Sequence, residues 1–266
     1  PLIARLLDAG VTPEGQPYLA IEYVEGTSLT DYCDAHRLSL NARLALMQQV
    51  LAAVQYAHQH LVIHRDLKPA NILVTRDGQV RLLDFGIAKL MTDDGQAPAT
   101  ELTLVGGHAL TPDYASPEQI AGLPVSTASD VYSLGVVLYV LLCGQRPYRL
   151  QRDSRAAMER AIASAMPPRP SQQAFTDPVA AARSSTPKKL AQALAGDLDT
   201  IVLKAIKKDP ADRYASADGV MQDLQRFLAG EPVQARPDSA AYRFAKFVAR
   251  HRLQVGVGLA IGVVVL

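Results

Sequence analysis

The sequence predicts an α+β fold in which a small β portion leads into a larger, mainly helical body. Three observations carry this expectation. Strand-like runs occur only in the first 25 residues and around residues 71–83, whereas helical spacing of apolar residues dominates the remainder. Of 266 residues, 48% are hydrophobic and 20% charged, which suits a sizeable core and is too apolar for a disordered chain.

Charge and cysteine usage exclude several classes. With 27 Lys and Arg against 26 Asp and Glu the chain is nearly neutral, so it lacks the global basic footprint of a nucleic-acid binder. Cys33 and Cys143 stand far apart in apolar or helical stretches, and two such cysteines build neither a disulfide framework nor a zinc cluster. The globular part therefore reads as cytosolic. The chain opens on Pro1 without a charged leader and is still strongly apolar at its last residue, so a fragment cut at both ends is expected.

Taken in order, residues 2–7 and 18–24 read as a hairpin around a turn with Asp8, Gly10, Pro13, Glu14 and Gly15. From Ser39, a candidate N-cap, Leu40, Leu44, Met47, Leu51 and Val54 recur at helical spacing up to His58. Residues 71–74 and 80–83 form a second candidate hairpin around Asp77-Gly78. The stretch 90–110, rich in Thr, Gly, Asp and Ala, reads as a long exposed loop. Residues 131–143 are almost continuously apolar, but as a helix they would cover only about 20 Å, which favours a buried core helix over a membrane span. Residues 151–187 drift into Pro, Ser, Arg and Ala, with one helix expected over 155–165 and irregular chain after it. Residues 197–207 and 217–228 again show helical spacing, the second closed by Gly230 and Pro232.

The chemistry lies in the run His64-Arg65-Asp66-Leu67-Lys68-Pro69-Ala70-Asn71, followed by Asp84-Phe85-Gly86 and then Ala115-Ser116-Pro117-Glu118. Isolated, Asp66 and Asp84 would pass for turn formers at strand ends. Together the run offers what phosphoryl transfer needs, in the order it needs it: a carboxylate for the hydroxyl proton, a cation for the phosphoryl group and two hard oxygen ligands for magnesium.

This set of motifs resembles the eukaryotic-type protein kinase family, in particular the bacterial transmembrane serine/threonine kinases, over roughly residues 1–230. The resemblance implies a protein-kinase-like fold with a truncated small β lobe and a mainly helical large lobe. It makes Asp66 the catalytic base and Lys68 the cation that neutralises the phosphoryl group, with Asn71 and Asp84 holding magnesium, or manganese, beside ATP. Lys68 two residues after the base points to serine and threonine as acceptors. Thr111 falls where the family places a Thr whose hydroxyl meets the catalytic Asp and Lys; Leu110 stands before it where a Gly is usual. Ile21 falls at the gatekeeper, Glu22 and Val24 at the hinge whose backbone pairs with adenine, and Leu73 on the adenine floor. Glu118 and Arg213 resemble the buried ion pair that fastens the activation segment. Asp130 resembles the anchor for the catalytic-loop backbone, while by position alone it reads as an ordinary N-cap. Leu6, His64 and Phe85 resemble a hydrophobic column linking the lobes. Arg65 before the base implies control by a phosphate on the loop, with Thr103 the first candidate and Thr100 the second. The family's glycine-rich loop, strand-three Lys and helix-C Glu would all precede Pro1.

The tail reads differently. Residues 242–252 contain Arg243, Lys246, Arg250, His251 and Arg252, and residues 253–266 carry no charge. The uncharged run is expected to start a transmembrane helix, with the basic flank on the cytoplasmic side. Gly258 and Gly262, in a GxxxG spacing, would permit a homodimer through close helix pairing. The expected organisation is a small-lobe remnant over 1–25, a large lobe over 26–232, a basic juxtamembrane segment over 233–252 and the membrane helix from 253. The resulting expectation is a membrane-anchored signalling kinase, single-pass in the cell membrane with a cytoplasmic kinase domain, acting on Ser and Thr of protein substrates. A pseudokinase scaffold and a fragment left inactive without its upstream nucleotide elements are the alternatives; the Glu118 and Arg213 pair and the Thr-bearing loop argue against a small-molecule phosphotransferase.

Overall fold

The computed structural model describes residues 2–83, 112–148, 155–237 and 239–250. Strands β1 (Leu6–Val11) and β2 (Pro17–Ile21) form an antiparallel pair whose turn is closed by the Thr12 N–H donating to Gln16 O, with Gly15 at φ +81°. The first strand thus lies later than the expected 2–7. Gly10 is a strand residue: a Cβ there would come within 2.8 Å of the Tyr18 ring, whose hydroxyl donates to Asp8 at 3.0 Å. Residues 2–4 run instead beside β5 (Val80–Leu82), where the Ala4 N–H donates to Leu82 O and the Leu82 N–H to Leu2 O, both at 2.9 Å. β5 is the edge of a three-stranded antiparallel sheet with β4 (Ile72–Val74) and β3 (Thr27–Ser28).

Helix α1 (Leu29–Ala35) is capped by Ser28, and α2 (Leu40–Gln59) by Ser39. The sequence reading anticipates α2 and its cap but not α1. A short helix α3 (Pro117–Ile120) opens on Ser116, whose hydroxyl accepts from the Gln119 N–H while the Gln119 side chain accepts from the Ser116 N–H. The apolar run lies in α4 (Thr127–Cys143), in which every residue from Ser129 to Cys143 except Val140 is buried, as expected of a core helix. Its N-cap is Ser126. Asp130 sits inside the first turn, so its reading as an N-cap is corrected: a helix start four residues earlier frees its carboxylate for other donors.

After α4 come α5 (Arg155–Ser164), α6 (Asp177–Ala181), α7 (Pro187–Leu194), α8 (Asp197–Ala205) and α9 (Ala217–Leu228). Helices α2, α4, α8 and α9 pack around one core that includes Leu44, Met47, Leu51, Leu134, Leu138, Ile201 and Leu224. Gly135 permits a close crossing: a Cβ there would lie 2.8 Å from the Ala205 Cβ on α8.

The C-terminal end of α4 is closed by Gly144 at φ +70° and by two buried arginines. Arg43 from α2 donates to Leu141 O at 3.2 Å, and Arg183 to Leu142 O at 2.6 Å and Leu141 O at 3.1 Å. Cations at the negative end of a helix satisfy carbonyls that have no partner inside it. Arg43 also reaches Ala182 O and the Asp34 carboxylate, both at 2.6 Å. Burial, and then the neighbouring Arg43 charge, lower the Arg183 pKa to about 10, which leaves it charged at neutral pH.

Beyond α9 the chain is held by fully buried Asp223, which accepts from the Gln234 and Ala235 N–H groups at 2.6 and 2.7 Å. A last helix, α10 (Ala240–Arg250), covers most of the segment expected only to be basic. Among the described residues no helix is long and apolar enough to cross a membrane; residues 253–266 lie outside them.

Candidate active site

The loop between α2 and β4 carries the candidate catalytic residues. His64 is fully buried, and burial lowers its pKa despite the Asp130 charge, so the ring is neutral. Its Nε2 lies 2.9 Å from Leu83 O, which makes that nitrogen the donor and leaves Nδ1 to accept from the Asp66 N–H at 3.4 Å. Next to it Arg65 takes φ +66°, a left-handed conformation that costs a non-glycine residue about 1 kcal/mol. Both of its backbone polar groups are held from the large lobe: the N–H donates to Asp130 at 2.9 Å, and the carbonyl accepts from Gln119 Nε2 at 2.7 Å. Asp130 accepts in addition from the His64 N–H at 2.8 Å and meets His58 Nε2 at 2.8 Å.

That clamp presents Asp66. Lys68 Nζ donates to Asp66 Oδ2 at 2.8 Å, and Asn71 Nδ2 donates to the same oxygen at 3.1 Å and to Asp66 O at 2.8 Å. Asn71 is set by a 3-10 turn over Pro69–Asn71, with buried Pro69 at its start. Because its amide nitrogen is committed to Asp66, its side-chain oxygen is left as an acceptor, a hard ligand that fits magnesium. The Leu83 N–H donates to Asn71 O at 2.9 Å, so the residue just before Asp84 is tied to this loop. Asp84, Phe85, Thr100, Thr103 and Thr111 lie outside the described residues. Among the described residues no three His, Cys, Asp or Glu side chains gather as a metal cluster.

The expected nucleotide residues fall on one path. Ile21 ends β2 opposite Leu6, and Glu22 and Val24 follow in chain without regular secondary structure. The Glu22 N–H donates to Arg5 O at 2.8 Å; hydrogen bonds from the Arg5 backbone and then its side chain lower the Glu22 pKa. At the end of this segment Gly26 abuts β4: a Cβ there would come 2.9 Å from Val74 O and 3.1 Å from the Leu73 Cβ. Leu73 is half-buried beside it. Leu6, at the start of β1, is 50% exposed in the two-stranded sheet, and its expected column partner Phe85 lies outside the described residues.

Glu118 and Arg213 form a bidentate pair at 2.7 and 2.8 Å, with Ser129 Oγ donating to Glu118 at 2.6 Å. Arg213 also donates to Ala128 O, Lys207 O and Lys208 O and lies over the Tyr132 ring. Burial would raise the Glu118 pKa, but hydrogen bonds from Arg213 and Ser129 outweigh it and hold the carboxyl at about 2.

The sequence reading gives His58 and Gln119 no functional role, although His58 meets Asp130 and Gln119 holds the Arg65 carbonyl. The only hints were the place of His58 in the last turn of α2 and that of Gln119 directly after Glu118.

A loop built in this way joins helix α2 to strand β4 of the small sheet and is braced by α3 and α4 of the helical body. The chain belongs to the protein kinase domain family, whose model matches residues 1–224. It is 37% identical over 239 residues to a protein of Streptomyces coelicolor named as a probable serine/threonine-protein kinase, covering 88% of this chain and 32% of that one. It is 34% identical over 239 residues to the serine/threonine-protein kinase PknB of Mycobacterium tuberculosis, covering 88% of this chain and 34% of PknB. A probable serine/threonine-protein kinase of Clostridium perfringens is 33% identical over 241 residues, covering 90% and 31%. The chain thus spans about a third of the length of these relatives.

Proposed function

We propose that the chain is the phosphotransfer core of a protein kinase that moves the γ-phosphoryl group of ATP to serine and threonine hydroxyls of proteins. The observation that carries this reading is the convergence of Lys68 and Asn71 on one oxygen of Asp66. Oδ2 is thereby committed, which leaves Oδ1 to accept the proton of a substrate hydroxyl. Lys68, half-buried and beside that carboxylate, offsets the charge of the phosphoryl group in flight. Asn71, and by family resemblance Asp84, would hold magnesium, which supplies charge neutralisation for the nucleotide phosphates. Backbone groups of Glu22 and Val24, with Ile21 and Leu73 on either side, would take the adenine. Arg65 would receive a phosphate from Thr103 or Thr100. The names of the relatives support serine and threonine as the acceptors.

The wider setting is part of the same reading. The uncharged run 253–266, preceded by basic residues, supports a single-pass anchor with the kinase lobe on the cytoplasmic side. Residues 1–266 alone would grip magnesium-ATP weakly, because among the described residues the sheet that carries Ile21 has only two strands and leaves Leu7 and Val11 exposed. In the full-length protein, Asp66→Asn and Asp84→Asn should each abolish phosphorylation of Ser and Thr in a test protein while thermal unfolding stays cooperative. Wild-type turnover by either variant would overturn the assignment.

A further inference from the structure

Helix α10 is amphipathic, and its polar side faces inward. Tyr242 OH donates to Asp197 at 3.0 Å, Lys246 pairs with the other oxygen of Asp197 at 2.6 Å, and Arg250 pairs with Glu231 at 2.9 Å. At 100° per residue Phe244 lies almost opposite Tyr242, and it is 67% exposed; Phe247, next on that side, is 50% exposed. Ala240 and Ala241 complete the outward stripe. A surface helix of a soluble domain ordinarily turns this stripe to the core. Here ion pairs to Asp197 and Glu231 hold it outward.

We propose that this face of α10 lies on an anionic lipid bilayer, with Phe244 and Phe247 at the boundary between headgroups and acyl chains, so that the lobe is seated on the membrane surface. The occupant is argued from what surrounds the stripe. α10 contains Arg243, Lys246 and Arg250 and no acidic residue, so the helix that carries the aromatic stripe is cationic, as an anionic lipid surface favours. In sequence the helix leads within three residues into the uncharged run 253–266. The proposal rests on the membrane-anchored reading above, since that run would bring α10 to the surface.

The chain contains no tryptophan, so Phe244→Trp supplies a single reporter at an already exposed position. The 266-residue chain carrying it would be mixed with phosphatidylcholine and phosphatidylglycerol vesicles, with sedimentation reporting anchoring and indole fluorescence reporting the face. A Tyr56→Trp chain, with its indole at an exposed position of α2, serves as the reference. The expected result is sedimentation of both chains, with a blue shift and quenching by shallow brominated lipids for Phe244→Trp only. Sedimentation without either signal at position 244 would overturn the proposal while leaving the anchor intact. Failure to sediment would overturn the anchor and the proposal with it. A blue shift that needs no vesicles and grows with protein concentration would assign the face to a second copy of the chain and overturn it as well.

Discussion

Asp130 accepts a 2.8 Å hydrogen bond from the backbone N–H of His64, 66 residues earlier in the chain, with the same oxygen that meets His58. One carboxylate on the buried helix therefore fixes the conformation of the loop that carries Asp66, the proposed catalytic base.

Replacing it should show this. Asp130→Asn keeps the volume but sets an amide N–H against a backbone N–H, or else gives up the bond to Arg65. The cost expected for a buried donor left unsatisfied is about 1–3 kcal/mol. Phosphotransfer should fall more than tenfold, because Arg65 loses the partner that offsets its left-handed backbone. Urea denaturation and a kinase assay on the full-length protein would check both; unchanged turnover would refute the clamp.

Acid should loosen the lobe through Glu118. Its folded carboxyl is held at about 2, below its ordinary 4.5, so the pair with Arg213 contributes stability above pH 4.5 that is lost as pH falls toward 2. The slope of unfolding free energy between those values should be steeper in the wild type than in Glu118→Gln. That variant should also be less stable at neutral pH by about 3–5 kcal/mol, since Arg213 keeps its charge without a counterion. Equal slopes would show that other carboxylates dominate.

Gly26→Ala tests the path to the nucleotide. The new methyl group would press on Val74 O from 2.9 Å, and neither backbone can yield without moving the hinge or Leu73. A loss of about 1–3 kcal/mol in stability is expected, together with weaker ATP binding by the full-length protein. Titration with a fluorescent ATP analogue would measure it, and an unchanged affinity would separate Gly26 from the site.

Much of this architecture was legible because the relevant signals are local. Ser39 followed by helical spacing marks α2, and Asp77-Gly78 marks the turn at which Gly78 has φ +76°. Legibility failed where one residue type serves two purposes. Pro178 and Pro187 belong to the stretch read as irregular, yet they stand at the second position of α6 and the first of α7, behind Thr176 and Thr186, where a missing N–H costs nothing. Asp8 and Gly10 read as a turn, but Tyr18 lies across Gly10 and bonds Asp8, which only the paired strand reveals. The same limit holds at the site. Asp66, Lys68 and Asn71 share one short motif and were found together, whereas His58 and Gln119 reach the loop from other elements and carry no spacing that announces them.

The two arginines at the end of α4 bear on how the large lobe comes into being. Arg43 meets Leu141 O across 98 residues and Ala182 O across 139, and Arg183 reaches back to the same helix turn from later in the chain. The last carbonyls of α4 can therefore be satisfied only when segments from both halves of the chain have arrived. Contacts closed over such separations slow a folding reaction, so the lobe should assemble late and in one step, and a ribosome-bound chain that has not yet exposed Arg183 should still hold α4 unsettled and open to proteolysis.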